Sequence, residues 1–253
     1  MSRKLNVSTY NFQSIGIMFF CLYIFSNYLA QGTILPSYFN SIFLYLFLAW
    51  GILNILLIKD VRMKPISIWL LMFLIYSFLT MIYSPNKSIF SGQFYVVGVN
   101  FVVTFFLSQI NFDKRTLFGI CWSYSIASAL LIVLLILTGN LDDSTGRLGN
   151  ELFGNANSLA SLLMLSSIYA IFLLVYDKPR MWKKIVLITC IVLNYYAMFL
   201  SGGRKFIVVP IVFLYILLIF RTDKEGKKHM VKYTIMIIII GGVLWYLIMN
   251  IPI

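Results

Sequence analysis

Apolar stretches of fifteen or more residues recur along the whole of this chain, separated by short polar or glycine-containing breaks. The hydrocarbon core of a bilayer is ~30 Å thick, and ~20 helical residues cross it, so this recurrence is the signature of a polytopic helical membrane protein. Nine spans are placed at residues 15–30, 38–58, 66–83, 94–110, 117–138, 156–176, 185–200, 206–220 and 233–250. The expected fold class is therefore all-α, an integral membrane helical bundle forming one transmembrane domain over residues 1–253. With 61% hydrophobic and 11% charged residues, the chain has too little polar surface to cover a soluble core. No internal repeat or low-complexity linker interrupts the series.

The first stretch follows Ser2-Arg3-Lys4 in the manner of a signal peptide, but it opens a series of similar stretches and reads as an uncleaved first span. Cys21, Cys121 and Cys190 all lie inside apolar runs, which suits packing and suggests no disulfide framework. Tyr38, Tyr83 and Trp182 fall near span ends as interfacial anchors. With the N-terminus cytoplasmic, sixteen of the 20 lysines and arginines fall on the inner side. Only Lys87, Arg147, Arg204 and Lys205 fall outside. Basic loops resist translocation, so the net charge of +12 reads as topology and not as nucleic-acid binding. Residues 185–220 as a single helix would measure about 54 Å, too long for one crossing. A turn at Ser201-Gly202-Gly203 follows, and Pro210 then kinks the eighth span.

Two outward breaks stand apart because they keep arginine where basic residues are scarce. One runs from Gly146-Arg147-Leu148-Gly149 through Glu151 to Gly154-Asn155-Ala156-Asn157-Ser158 and opens the sixth span. The other, Ser201-Gly202-Gly203-Arg204-Lys205, opens the eighth. Both spans start on the outer side. A helix N-terminus offers free N–H groups and partial positive charge, and Asn155, Asn157 or Ser158 suits the cap of the sixth. Two such termini brought together with Arg147, Arg204 and Lys205 would form an anion site, with phosphate oxygens gripped by a bidentate arginine.

Each residue also has a plainer reading. Arg147 serves equally as a solvated charge or a lipid head-group contact. Arg204 sits in a loop short enough to lie near hydrocarbon, where an ionisable group is more often functional or paired. Lys205 reads as a snorkelling side chain, and Gly149, Gly154, Gly202 and Gly203 as turn residues. Asn157 is a cap as readily as a ligand. Among the outward acids Asp142, Asp143 and Glu151, the last is the candidate general base, with pairing to Arg147 or simple solvation as its alternatives. His229 belongs to a basic inner loop and reads as a surface residue. No His or Cys cluster suggests a metal, and Asp142-Asp143 is too little for a site. Asn100 and Asn194, inside spans, read as interhelical hydrogen-bonding residues.

Arg147-x-Gly149 followed by Gly154-Asn155-Ala156-Asn157-Ser158-Leu159-Ala160 resembles a signature of the bacterial O-antigen ligase and repeat-unit polymerase family. Leu200-Ser201-Gly202-Gly203-Arg204-Lys205 resembles that family's second signature, a small-residue turn ending in serine-arginine, with Gly203 in place of the usual serine. The resemblance covers about residues 100–253 and keeps the motifs in order. It implies a metal-independent, cofactor-free glycosyltransferase in the bacterial inner or cell membrane, with its active face periplasmic or extracellular. Its substrate would be an oligosaccharide carried on undecaprenyl pyrophosphate, within the lipid bilayer and alongside other polysaccharide-assembly membrane proteins.

In that reading a sugar hydroxyl attacks the anomeric carbon and lipid pyrophosphate departs. Arg147 and Arg204 hold the departing group, Glu151 completes the catalytic set, and Gly149, Asn155, Asn157, Gly203 and Lys205 border the substrate. Family members continue into a large outer loop with further arginine and often histidine, so the chain is expected to correspond to the N-terminal part of such a fold. A capsule or exopolysaccharide polymerase is the first expectation, and a ligase passing the polymer to an acceptor such as lipid A core the second. Outside the family stands a flippase for the same lipid-linked sugars, which would place charge at the bilayer midplane and often repeat its halves. A structural or regulatory membrane subunit is the remaining alternative.

Overall fold

An apolar run becomes a helix in lipid because a helix satisfies its backbone N–H and C=O groups within the segment itself. The computed structural model describes residues 7–31, 36–57, 61, 63–83, 87–110, 112–138, 148, 156–177, 179–221 and 242. Its described helices are α1 (Val7–Gln31), α2 (Ser37–Leu57), α3 (Pro65–Tyr83), α4 (Lys87–Ser108), α5 (Lys114–Leu137), α6 (Ala156–Tyr176), α7 (Met181–Leu200) and α8 (Arg204–Arg221). The fold is all-helical, with no strand among the described residues. Five of these helices, α1, α2, α5, α6 and α7, are long and apolar enough to cross a membrane, as in a multi-pass membrane protein. Shorter apolar stretches lie in α3, α4 and α8. Apart from Gly242, the ninth expected span at 233–250 lies outside the described residues.

Several helices outrun the apolar stretches that announce them. α1 begins at Val7 and α4 at Lys87, because polar residues at an interface go on hydrogen-bonding helically where hydropathy has already fallen. α5 is started by Asp113, whose Oδ1 accepts the Thr116 N–H at 2.7 Å, a side-chain cap for an otherwise orphan donor.

The packing divides into two compact units, Met1–Tyr23 with Ser41–Thr116, and Ile24–Asn40 with Leu117–Ile253. In the first, Gly16 on α1 leaves room for the Trp50 ring of α2, which a Cβ there would overlap. The indole N–H of Trp50 donates to the Phe12 carbonyl at 2.9 Å. Phe47 stacks on Trp50 and meets Phe20 and Phe106. Small residues that admit close approach commonly mark helix contacts in membranes.

The second unit positions the candidate site. Cys121 of α5, Ala170 and Leu173 of α6 and Leu187 of α7 form one buried cluster, and Ile171 and Val175 of α6 meet Leu217 of α8 in another. Tyr28 of α1 donates to the Ser166 hydroxyl at 2.6 Å, and Ser166 donates to the Tyr124 carbonyl at 3.2 Å. That chain of hydroxyls ties α1, α6 and α5 at one buried level. Because short connections reverse the chain between α6, α7 and α8, the N-termini of α6 and α8 and the C-terminus of α7 fall at one end.

α7 is two-faced. Leu187, Cys190, Asn194, Ala197 and Met198 are buried, while Ile185, Ile188, Val192 and Tyr196 are exposed. Asn100 is exposed. Asn194 is fully buried, and neither its amide N nor its amide O has a hydrogen-bond partner among the described residues. The interhelical bond expected of it is not made among the described residues, and a buried polar group left unpaired costs about 1–3 kcal/mol. Asn194→Leu, which keeps the branching at Cγ and removes the amide, is predicted to raise the thermal unfolding midpoint in detergent by a stabilisation of that order. A midpoint lowered both by Asn194→Leu and by the smaller Asn194→Val would mean that the amide holds a partner.

Candidate functional site

A helix that stops beside hydrocarbon leaves its last four carbonyls without intrahelical donors, and lipid offers none. At the end of α7 all four are answered. The Ser201 N–H donates to Ala197 O at 2.9 Å, Gly202 N–H to Phe199 O at 3.0 Å, and Gly203 N–H to Met198 O at 3.2 Å. The Ser201 hydroxyl adds a 2.8 Å bond to Met198 O. The paired bonds from Gly202 and Gly203 are those of a Schellman cap, which needs a left-handed residue at its first outside position. Gly202 supplies it with φ 70°, a conformation that glycine adopts without steric penalty. α8 then begins at once, with the Phe206 N–H donating to Gly203 O at 2.9 Å.

The fourth carbonyl, that of Leu200, is answered from elsewhere in the chain. It accepts the N–H of Leu148 at 3.2 Å, and the Leu148 side chain is fully buried. Leu148 stands between Arg147 and Gly149 in sequence. Leu148 is therefore held, through its backbone N–H, against the turn that precedes Arg204.

α6 closes on the same turn. Gly203 is buried, and a Cβ built there would overlap the Cβ of Ala160, itself fully buried in the second turn of α6. Glycine at 203 is thus required by close approach. Through this contact the N-termini of α6 and α8 meet at one end of the unit, each presenting a helix dipole's positive end there.

The expected site residues fall as follows. Arg204 is the first residue of α8, where the sequence places it in the preceding loop. Lys205 is exposed, and its Nζ lies 5.1 Å from the centre of the Phe206 ring. Asn157 and Ser158 are exposed and stand inside the first turn of α6. Since α6 begins at Ala156, Asn157 and Ser158 lie within the helix and not before it. Arg147, Gly149, Glu151, Gly154 and Asn155 lie outside the described residues, as do Asp142, Asp143 and His229.

Leu148 and Ala160 are the residues that sequence reading does not single out as parts of this site. The serine-glycine-glycine run marks a turn. Leu148 and Ala160 act through a backbone N–H and a methyl group, which carry no motif.

Beneath the turn, α6, α7 and α8 border an open apolar pocket of about 290 Å³ lined by Ile171, Leu174, Val175, Ile191, Tyr195, Ile211 and Leu214. Tyr195 precedes Ser201 by six residues, so the cavity begins about 9 Å below the turn at 1.5 Å per residue. Among the described residues no group of three or more His, Cys, Asp or Glu gathers that could hold a metal ion. No protein-family model, characterised protein or solved structure matches the chain.

The contact between Gly203 and Ala160 makes a reciprocal prediction. Gly203→Ala is expected to cost about 1–3 kcal/mol through overpacking, read as a lowered unfolding midpoint in detergent. Adding Ala160→Gly is expected to restore most of the loss. A double variant no more stable than Gly203→Ala would show that the two helices do not meet there.

Proposed function

We propose that the chain is a membrane-embedded glycosyltransferase of bacterial surface-polysaccharide assembly, acting as a repeat-unit polymerase on undecaprenyl-pyrophosphate-linked oligosaccharides. The observation that carries this reading is the 3.2 Å bond from Leu148 N–H to Leu200 O, which ties the Arg147 segment to the turn preceding Arg204. Two arginines on adjoining segments, beside two helix N-termini and above an apolar cavity, suit a ligand with a doubly charged head and a long apolar tail. In this reading the chain has nine spans and a cytoplasmic N-terminus, and the turn faces the periplasm or cell exterior. The excess of lysine and arginine in the opposite loops supports that orientation.

The chemistry asks little more than anion stabilisation. An acceptor sugar hydroxyl attacks the anomeric carbon of the donor. The new glycosidic C–O bond forms as the bond to the lipid pyrophosphate breaks, and the electron pair leaves with the pyrophosphate. Arg147 and Arg204 hold that departing anion by charge-assisted, bidentate hydrogen bonds. Their benefit grows as negative charge accumulates in the transition state. Glu151 takes the hydroxyl proton as general base. Asn155, Asn157, Lys205, Gly149 and Gly203 border the head group, while the polyprenyl tail lies along the α6–α7–α8 cavity. A ligase of the same family would use the same donor half of the site with a different acceptor.

Restoring the gene to a deletion strain of its own host, and running surface polysaccharide on a gel, tests the reading. The natural gene is expected to return long chains. Arg147→Ala and Arg204→Ala are each expected to cut polymerisation by about 100-fold or more. The Arg→Lys variants should fall between, since lysine supplies charge without the planar fork. Full-length polymer from both alanine variants, at normal protein levels, would sink the site assignment.

A further inference from the structure

The tip of the α1–α2 hairpin carries polar chemistry that the anion site does not use. The stretch Ile24–Asn40 holds no Asp, Glu, Lys, Arg or His, yet it includes Ser26, Asn27, Gln31 and Asn40. It packs as part of the second unit, where Tyr28 meets α6 through the 2.6 Å bond to Ser166.

Three carboxamides come together at this tip. Asn27 and Gln31 stand four residues apart on one face of α1, and Gln31 Nε2 donates to Asn27 Oδ1 at 3.3 Å. Asn40 of α2 donates through Nδ2 to the same oxygen at 3.3 Å. Its own Oδ1 accepts the Ser26 hydroxyl at 3.4 Å. Each carboxamide has an acceptor oxygen and two N–H donors. These bonds leave Asn27 Nδ2 and Gln31 Oε1 without a partner among the described residues. The only unpaired side-chain N and O atoms buried in the interior of the described residues are those of Asn194, so both of these are accessible. Asn27, Gln31 and Asn40 are themselves half-buried. A free donor and a free acceptor thus stand on neighbouring amides that hydrogen bonds already hold in place, which lowers the ordering cost of binding.

The absence of acidic and basic side chains selects the ligand. Nothing in the tip favours an anion or a cation, whereas a fixed donor beside a fixed acceptor matches neighbouring hydroxyls, each of which both donates and accepts. We infer that Asn27, Gln31 and Asn40 seat a neutral sugar of an oligosaccharide. In the nine-span arrangement α1 ends and α6 begins at one membrane surface. The Ser201 turn meets α6 at Ala160, and Tyr28 meets it at Ser166, about 9 Å further along the axis. The seat therefore flanks the pyrophosphate site and takes a sugar removed from the reacting carbon. That this sugar belongs to the polysaccharide repeat rests on the glycosyl-transfer reading; that it is a neutral polyol rests on the amides.

Saturation-transfer NMR tests the seat on the full chain in a sugar-free detergent. The probe is neutral oligosaccharides, free of pyrophosphate, released from the host's surface polysaccharide by partial acid hydrolysis. The natural chain is expected to transfer saturation to them. Asn27→Asp, at mildly alkaline pH, keeps the oxygen that accepts from Gln31 and Asn40 and removes only the free donor. Gln31→Met removes the free acceptor. Each is expected to weaken binding about two- to tenfold, the worth of one neutral hydrogen bond, with helical circular dichroism unchanged. Should Gln31→Met unfold the chain, Asn27→Asp decides alone. No transfer from the natural chain overturns the inference. Undiminished binding by Asn27→Asp overturns it too, and leaves the amides as a lock between α1 and α2. Polymer formed in the gel assay without fragment binding rejects the seat alone, while fragment binding weakened by Asn27→Asp with no polymer formed upholds the seat and rejects the glycosyl-transfer reading.

Discussion

The need to finish a helix beside lipid governs the end of the second unit at which α7 closes. Four carbonyls at the close of α7 require donors, and the turn supplies three of them from Ser201, Gly202 and Gly203. The fourth comes from Leu148 in the loop before α6. An unpaired carbonyl in that position would cost about 1–3 kcal/mol, so the loop is drawn to the turn by the turn's own deficit. Gly203 then brings α6 against the same place, because only the missing Cβ lets Ala160 approach. One constraint thus fixes a left-handed glycine, a close helix contact and the meeting of two distant segments.

How much of this was legible in the sequence varies with the kind of force involved. Apolar runs announce α1 to α8 because bilayer thickness sets their length. The helices α1 and α4 begin before the apolar spans at 15–30 and 94–110, because hydropathy reports where a residue prefers to sit, and helical hydrogen bonding continues past that point. The turn at Ser201 could be inferred, since one helix over residues 185–220 would be too long for the membrane. The tie to Leu148 could not. Its donor is a backbone N–H that every residue but proline possesses, and a leucine in a glycine-rich loop gives no sign of being buried. Asn194 shows the converse, since its amide announces hydrogen-bonding capacity but not whether a partner lies within reach. For the candidate site, residue types and order were readable from sequence, whereas the approach of Leu148 and Ala160 to the Ser201 turn came only from contacts at Leu148 and Gly203.

The two ends of α7 are built for different neighbours. At its C-terminus every carbonyl is paired and the chain reverses tightly, which places Arg204 directly on the next helix. At its N-terminus the N-cap residue Arg180 makes no side-chain cap bond, and Lys183 lies over the Trp122 and Trp182 indoles. Between them the buried face packs against α6 while Ile185, Ile188, Val192 and Tyr196 on the opposite face are exposed. A pyrophosphate-linked lipid substrate would need this kind of frame, with its tail admitted between helices and its head held where the helices end. The small, fully buried Ala160 and Ala170 of α6 allow the close packing that keeps such a frame in register.

The central claim is that the Arg147 and Arg204 segments share one membrane surface. Cysteines placed at positions 147 and 204, in a chain whose Cys21, Cys121 and Cys190 are replaced by alanine, test it in native membranes. Bismaleimides that cannot cross the bilayer, one short and one long, are added to intact cells or to everted vesicles. The account predicts an intramolecular cross-link formed by the short reagent from the outer side only, seen as a shift in gel mobility that either single cysteine fails to give. Labelling of both positions without a cross-link by either reagent, or labelling from opposite sides of the membrane, would contradict it.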